Sequence, residues 1–191
     1  MADQLKLFGA PAKLPEGFRY ERDLISAAEE DRLLAHVKEL PFKNFEFHGY
    51  VGKRRVVSYG WKYDFNERLL RDAEHIPAFL VALRERAAAF ARIAPVQLQQ
   101  VLVTEYEAGA AIGWHRDKAV FGEVIGVSLL SSCTFRLRRQ VGTTWERASI
   151  IAEPRSVYLL SGPSRTEWEH SIPAVDALRY SITFRSMRSD S

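Results

Sequence analysis

Six short segments with the composition of β-strands follow one another between Val96 and the C-terminal end of the chain. Glycine and proline residues separate them at intervals too short for long helices. Six strands in about 90 residues are typical of antiparallel sheets that form a sandwich or a barrel. The predicted strands lie near residues 98–106, 123–130, 133–139, 148–151, 156–160 and 179–187.

The N-terminal part of the chain carries two helix patterns. Ser26 and Glu29 have the spacing of a capping box, which predicts a helix over about 27–39 that stops before Pro41. A second helix is predicted from Pro77 to about residue 92, because proline suits a first helical turn. The sequence therefore predicts an α+β fold that is mainly β, with N-terminal helices packed on the β-structure.

Length and composition predict one globular domain over residues 1–191, with residues 1–17 as a loose lead-in. The 191 residues are 47% hydrophobic and 27% charged, which is ordinary for a folded domain. No apolar run reaches the roughly 18 residues that a membrane span needs, and the N-terminus has no signal-peptide pattern. We expect a monomer in the cytoplasm that has no membrane partner.

The single cysteine and the small net charge narrow the possible chemistry further. Cys133 has no second cysteine to pair with, so a disulfide framework and a cysteine-based zinc site are excluded. The net charge of +3 is compatible with a nucleic-acid partner but does not require one.

His115 and Asp117 are two residues apart in a segment that reads as extended. Side chains at this spacing project to the same face of a strand, so the imidazole and the carboxylate can converge on one ion. His170 follows near another predicted strand end. Two histidines and one carboxylate on one face of a metal are typical of non-haem Fe(II) oxygenases. The alternative is a solvated polar turn after Trp114.

The C-terminal strand alternates between polar and apolar residues. Arg179, Ser181, Thr183 and Arg185 share one face. A buried arginine requires an anion, and its guanidinium group fits a carboxylate through two hydrogen bonds. The pattern indicates a carboxylate-binding strand. The alternative is an exposed strand face with ordinary surface charges.

Five further motifs precede this strand in a fixed order, and together they resemble the AlkB family of Fe(II)/2-oxoglutarate dioxygenases. The resemblance implies a double-stranded β-helix, or jelly-roll, core over residues 96–187 with the helices packed on one sheet. The motifs are Lys53–Gly60, Val103–Gly109, Gly113–Asp117, Gly162–Arg165 and His170–Pro173. A shorter match, Val127–Leu129, lies between them.

The resemblance also implies the cofactors, which are Fe(II), 2-oxoglutarate as cosubstrate and O₂. By position, Arg185 is expected to pair with the distal carboxylate of 2-oxoglutarate with help from Tyr106, and Arg179 with the end nearer the iron. The implied ligands of the iron, which are also the catalytic residues, are His115, Asp117 and His170. The implied cosubstrate contacts are Thr104, Tyr106, Arg179, Ser181 and Arg185.

Residues 42–65 are similar to the substrate lid of that family. Tyr59 and Trp61 are expected to stack on a base that has left its helix, and the triplet Lys53, Arg54 and Arg55 to hold phosphates. The alternative is that the aromatic residues belong to a hairpin core and the triplet to a solvated face.

The resemblance implies an oxidative demethylase of alkylated DNA or RNA bases that releases formaldehyde. Ala119 stands where nucleobase-demethylating relatives often carry an acidic residue, which leaves alternatives open. One alternative is the same chemistry on a modified tRNA base, a protein side chain or a small molecule. The other is a non-catalytic β-fold binding module.

Overall fold

The computed structural model describes residues 14–47, 50–64, 69–72 and 74–188. Residues 1–13 of the predicted lead-in, and residues 48, 49 and 65 of the lid-like segment, lie outside the described residues. Within the described part, the helices are α1 (Ala27–Val37), α2 (Val81–Ala91) and α3 (Gly162–Thr166). Two short 3₁₀ helices lie at Ala78–Leu80 and Pro95–Gln97.

The described residues contain thirteen strands, and the predicted C-terminal strands are confirmed. The first five are β1 (Phe18–Glu21), β2 (Lys43–Phe47), β3 (Tyr50–Tyr59), β4 (Trp61–Asp64) and β5 (Leu69–Asp72). The next four are β6 (Leu98–Tyr106), β7 (Ile112–His115), β8 (Phe121–Leu129) and β9 (Cys133–Val141). The last four are β10 (Thr144–Ala152), β11 (Val157–Leu160), β12 (Glu169–Ile172) and β13 (Arg179–Met187).

Two antiparallel sheets face one another and form the jelly-roll core. The major sheet has seven strands in the order β1-β11-β8-β13-β6-β3-β2, and the minor sheet has four in the order β10-β9-β12-β7. Strands β4 and β5 pair separately. The expected fold is therefore confirmed.

Helices α1 and α2 pack on the outer face of the major sheet. The capping box at the start of α1 is present: the Glu29 amide donates to Ser26 Oγ at 3.3 Å, and the Ser26 amide donates to Glu29 Oε2 at 2.8 Å. The last turn of α2 ends at Arg92, whose φ of 61° is left-handed. This outer core includes Leu33, Val37, Leu83 and Ala87 of the helices and Val101, Val103, Ile125 and Ile182 of the sheet.

The alternation predicted for the C-terminal strand is observed in β13. Tyr180, Ile182 and Phe184 face the helices. The polar residues of the strand therefore face the space between the two sheets, where a second core surrounds them. That inner core includes Phe18, Tyr106, Phe135, Leu137 and Tyr158.

The strands that carry the two candidate histidine ligands were not among the predicted strands. β7 and β12 are only four residues long, and IGWH and EHSI have no alternating apolar pattern. Their pairing across the minor sheet defines them, with His170 opposite His115. None of the described helices is long and apolar enough to cross a membrane.

Candidate active site

His115, Asp117 and His170 meet at one end of the space between the sheets. Their ligand atoms all lie within 4.8 Å of one another. The two imidazole rings are neighbours across the strand pair β7 and β12, with centroids 4.2 Å apart. His170 Nε2 is 3.5 Å from Asp117 Oδ2. Three converging ligands of these types can hold a divalent metal ion and leave further coordination positions open.

Neighbouring groups fix the orientation of the three side chains. His115 Nδ1 lies 2.8 Å from the carbonyl oxygen of Gly113, a contact that leaves Nε2 free to bind a metal. Phe135 stacks on the ring of His170, with 5.3 Å between centroids. Arg165 holds the loop after Asp117 and the start of β8, because it donates hydrogen bonds to three carbonyl oxygens there: Lys118 at 2.6 Å, Phe121 at 2.8 Å and Gly122 at 3.0 Å.

The electrostatic surroundings favour the deprotonated forms that bind metals. Burial opposes the charge of Asp117, but the attraction of Arg185 and the two histidines outweighs it and lowers the pKa of the carboxyl. Burial, together with repulsion from His115, lowers the pKa of His170 to about 3. The pKa of His115 is lowered by burial first, and the charges of Arg54 and Arg185 act in the same direction. At neutral pH the set consists of two neutral imidazoles and one carboxylate, which suits metal binding.

Arg185 lies at the metal end of the site. Its Nε and Nη2 are 2.9 Å and 2.6 Å from Asp117 Oδ1, and its Nη1 donates to Gln100 Oε1 at 2.9 Å. These contacts place the Arg185 guanidinium group beside a metal ligand, and its predicted pairing with the distal carboxylate of the cosubstrate stays a prediction. Only the side chain's position along β13, not its distance from Asp117, can be read from the sequence.

Arg179 lies six residues before Arg185 on the same face of β13 and is 1% exposed. Its Nη2 donates to Ser128 Oγ at 3.0 Å, and its guanidinium group lies 4.7 Å from the centre of the Tyr106 ring. Among the described residues, its Nε and Nη1 find no hydrogen-bond partner. Buried donors without acceptors are costly, so this end of the site fits a bound carboxylate.

Comparison with known proteins identifies the family. Residues 17–185 match the family model described as the 2OG-Fe(II) oxygenase superfamily. The chain belongs to this superfamily. Its members use Fe(II), 2-oxoglutarate and O₂, and the three converging ligands and the buried guanidinium group described above fit the metal and the dicarboxylate. The expected membership of the Fe(II)/2-oxoglutarate oxygenases is confirmed, and it favours the dioxygenase prediction over the non-catalytic alternative.

Two curated relatives are similar to this chain over most of its length, and the name of the first supports the resemblance to the AlkB family. The oxygenase is 29% identical over 194 residues to the "Alkylated DNA repair protein ALKBH8 homolog" of Arabidopsis thaliana, which covers 87% of this chain and 54% of that protein. The chain thus spans about half the length of this relative. It is 26% identical over 191 residues to "Uncharacterized protein L905" of Acanthamoeba polyphaga mimivirus, covering 92% of this chain and 87% of that protein.

Solved structures confirm the fold of the oxygenase. The structure of OsALKBH1 superposes with a TM-score of 0.69 at 18% identity, covering 91% of this chain and 98% of that one. A Pseudomonas putida prolyl-4-hydroxylase superposes with a TM-score of 0.59 at 14% identity, covering 91% and 94%.

Four of the five predicted cosubstrate residues line the pocket that leads to the metal ligands of the oxygenase. They come from two neighbouring strands of the major sheet and are Thr104, Tyr106, Ser181 and Arg185. The fifth, Arg179, is buried beside Tyr106, as described above. The pocket therefore joins the three metal ligands to the polar face of β13.

Of the predicted substrate residues, only Arg54 lines this pocket. Side chains alternate along β3, so Arg55 points to the helix side, where its Nε lies 2.6 Å from Glu105 Oε1. Lys53 is exposed, and Trp61 is not part of the pocket lining. Tyr59 is 4% exposed and packs in the outer core, so its predicted stacking on a base is wrong and the hairpin-core interpretation holds.

Sequence reasoning missed several pocket residues, and two aromatic ones stand out. Phe45 on β2 lines the pocket, and the guanidinium group of Arg54 lies 3.9 Å from its ring centre. Tyr158 on β11 lies between Phe135 and the backbone at Gly126, where a Cβ atom would stand 2.2 Å from the tyrosine ring. Its burial raises the pKa of the phenol. A glycine inside a buried strand was the one available signal for this close contact.

Proposed function

We propose that the protein is an Fe(II)/2-oxoglutarate-dependent oxidative demethylase of alkylated nucleic-acid bases. The observation that carries the proposal is a single pocket that runs from the metal ligands to an aromatic and basic rim. Phe45 offers a ring on which a base can stack, and Arg54 a hydrogen-bond donor. The name of the Arabidopsis relative, which refers to repair of alkylated DNA, supports the same substrate class.

Within this function, the iron is expected to be held by His115, Asp117 and His170. When bound, the iron and 2-oxoglutarate supply the oxidation of a C–H bond by O₂, and hydroxylation of an N-methyl group leads to release of formaldehyde. The role of the protein is to keep the three ligands deprotonated and to orient both the cosubstrate and the methyl group.

The two arginines of β13 are assigned to opposite ends of the cosubstrate. Arg179, with two buried N–H groups that lack acceptors, is expected to bind the distal carboxylate beside Tyr106. Arg185 is expected to stay with Asp117 and to neutralise negative charge near the metal. Thr104 and Ser181 face each other across β6 and β13 and offer hydroxyl groups to the same ligand.

The test is coupled product analysis with single-stranded oligonucleotides that each carry one N-methylated base. With Fe(II), 2-oxoglutarate and O₂, we expect succinate and formaldehyde in equal amounts, and neither product from the unmethylated strand. The matched control is Asp117→Ala, which removes one metal ligand and should form neither product.

Succinate without formaldehyde across the whole panel would reject nucleobase demethylation. It would favour the second candidate, the same chemistry on a modified tRNA base, a protein side chain or a small molecule. One observation favours that candidate: the residue two positions after Asp117 is exposed Ala119, which has no acidic group to contact a cationic base.

A further inference from the structure

The charges that line the pocket are unbalanced. Asp117 is the only carboxylate in the lining among the side chains the structure describes, which are those of residues 14–45, 53–61 and 74–188. Arg185 pairs with that same carboxylate through two contacts to one of its oxygens, at 2.9 Å and 2.6 Å. Arg54 also lines the pocket, so one guanidinium charge there has no carboxylate beside it in the described part of the chain.

Arg54 is held in place by two neighbours. Its strand pairs with β6 so that Arg54 lies opposite Tyr106, a pocket residue, and its guanidinium group stacks on Phe45 at 3.9 Å. An arginine keeps its charge in any protein environment. The side chain therefore presents a fixed positive charge to whatever enters the pocket above the metal ligands.

The nearby acidic residues are directed away from the pocket. Glu105 faces the helix side, where it accepts hydrogen bonds from Arg55 and from Tyr180 at 2.6 Å and 3.1 Å. Glu123 accepts a hydrogen bond from Ser186 at 2.6 Å. The position two residues after the pocket residue Asp117 is Ala119, which is exposed and uncharged.

A positive pocket discriminates between methylated bases by their charge. Methylation at a ring nitrogen makes adenine or cytosine a cation at neutral pH, whereas methylated uracil stays neutral and offers carbonyl oxygens. In a partly desolvated pocket, like charges repel strongly, and a guanidinium group donates well to a carbonyl oxygen. We infer that this site selects neutral, carbonyl-bearing methylated bases over cationic ones, with Arg54 as the specificity-determining residue. This rests on the proposed function.

The test uses two single-stranded oligonucleotides of one sequence, one with 3-methylcytosine and one with 3-methyluracil. The two lesions carry the methyl group on the same ring atom and differ in charge. Binding is measured by fluorescence anisotropy with Fe(II) and 2-oxoglutarate in the absence of O₂, so that it does not depend on turnover. We expect the wild-type protein to bind the 3-methyluracil strand at least tenfold more tightly.

Two variants that change the pocket charge should shift this ratio toward 3-methylcytosine. Arg54→Gln removes the charge, and Ala119→Asp adds a carboxylate on an exposed loop where it should not disturb folding. The matched control is Lys53→Gln, which removes a positive charge from the neighbouring exposed position and should leave the ratio unchanged. Circular dichroism spectra confirm that each variant is folded.

Equal binding of the two lesions by the wild-type protein, or tighter binding of 3-methylcytosine, would overturn the inference. So would binding of both lesions no tighter than the unmethylated strand, or a ratio that neither Arg54→Gln nor Ala119→Asp moves. Failure of the proposed function looks different. If binding favours 3-methyluracil but no formaldehyde forms from either strand in air, the charge selection stands and the demethylation does not.

Discussion

The major sheet and the minor sheet enclose the polar site between them, but they differ in what covers their outer faces. The major sheet is covered on both faces, by helices α1 and α2 outside and by the minor sheet inside. The outer face of the minor sheet carries arginines and tryptophans instead. Arg138 lies 4.4 Å from the ring centre of Trp114 and 4.3 Å from that of Trp145, and Arg136 lies 5.0 Å from that of Trp114.

This difference separates two tasks. The arginines assigned to the cosubstrate are on β13, a nine-residue strand with a neighbour on each side in the major sheet. The histidines assigned to the metal are on β7 and β12, four residues each, in the sheet whose outer face is not covered by α1 or α2. Metal binding should therefore depend on the minor sheet and cosubstrate binding on the major sheet, and each should be removable without the other.

The largest effect is expected from removing a metal ligand of the minor sheet. His170→Ala should abolish Fe(II) binding and lower turnover by more than about a thousandfold, because only two ligands remain. Anaerobic titration with Fe(II) and a succinate assay measure the two effects. Fe(II) binding at wild-type affinity in this variant would remove His170 from the set.

The next largest effect is expected on the major sheet. Arg179→Met should raise the 2-oxoglutarate concentration for half-maximal rate by about a hundredfold, because about 3 kcal/mol of charge-assisted hydrogen bonding is lost. The affinity of Arg179→Met for Fe(II), measured without O₂, should stay unchanged. His170→Ala, in contrast, should lose Fe(II) binding. Arg136→Met, on the outer face of the minor sheet, is the matched control. An unchanged 2-oxoglutarate requirement would place the distal carboxylate elsewhere.

A smaller effect is expected from pH on the metal-free protein. The pKa of His170 is about 3 when folded and near 6.5 when unfolded, so the unfolded chain binds the proton more readily below pH 6.5. Stability is then lost as the pH falls, by roughly 2 kcal/mol between about pH 7 and pH 5. The lowered pKa of Asp117 acts in the same direction, at lower pH. Urea unfolding at several pH values measures this.

His170→Gln is the control for that pH dependence, because glutamine does not titrate in this range. The slope of unfolding free energy against pH between about pH 7 and pH 5 should be shallower in this variant. An equal slope in both proteins would mean that other titrating groups determine how the unfolding free energy depends on pH. The pH dependence would then not report on His170 of the minor sheet.

The smallest effect is expected on the outer face of the minor sheet. Arg138→Gln removes two cation–π contacts and a 2.7 Å ion pair with Glu169. The Arg138 and Glu169 side chains are partly exposed, so the change should lower the unfolding free energy by only about 1 kcal/mol. Arg147→Gln is the matched control, because Arg147 lies opposite Arg138 on β10 and is exposed. Equal effects of the two changes would show that the stacking contributes little.

Strand composition and the capping box were sufficient to predict a sandwich or barrel with N-terminal helices, and the spacing of His115 and Asp117 indicated the metal-ligand candidates. These signals are local or are carried by spacing. The jelly roll itself came from the resemblance of the ordered motifs to the AlkB family. The short strands β7 and β12 were not predictable, because cross-strand pairing defines them and not their own residues. The orientation of β3 was the main error in the lid: alternation sends Arg54 and Tyr59 to opposite faces, and the sequence does not show which face is which.

The two N–H groups of Arg179 that lack acceptors have a consequence for the lifetime of the protein. A ligand that satisfies them binds the folded chain and not the unfolded one, and at a hundred times its dissociation constant it stabilises the fold by about 2.7 kcal/mol. On the assignment of Arg179 proposed above, we expect the cosubstrate to stabilise the folded chain as well as to react. When the supply of this central metabolite falls, the abundance of the protein should fall with it, before any change in catalysis is considered.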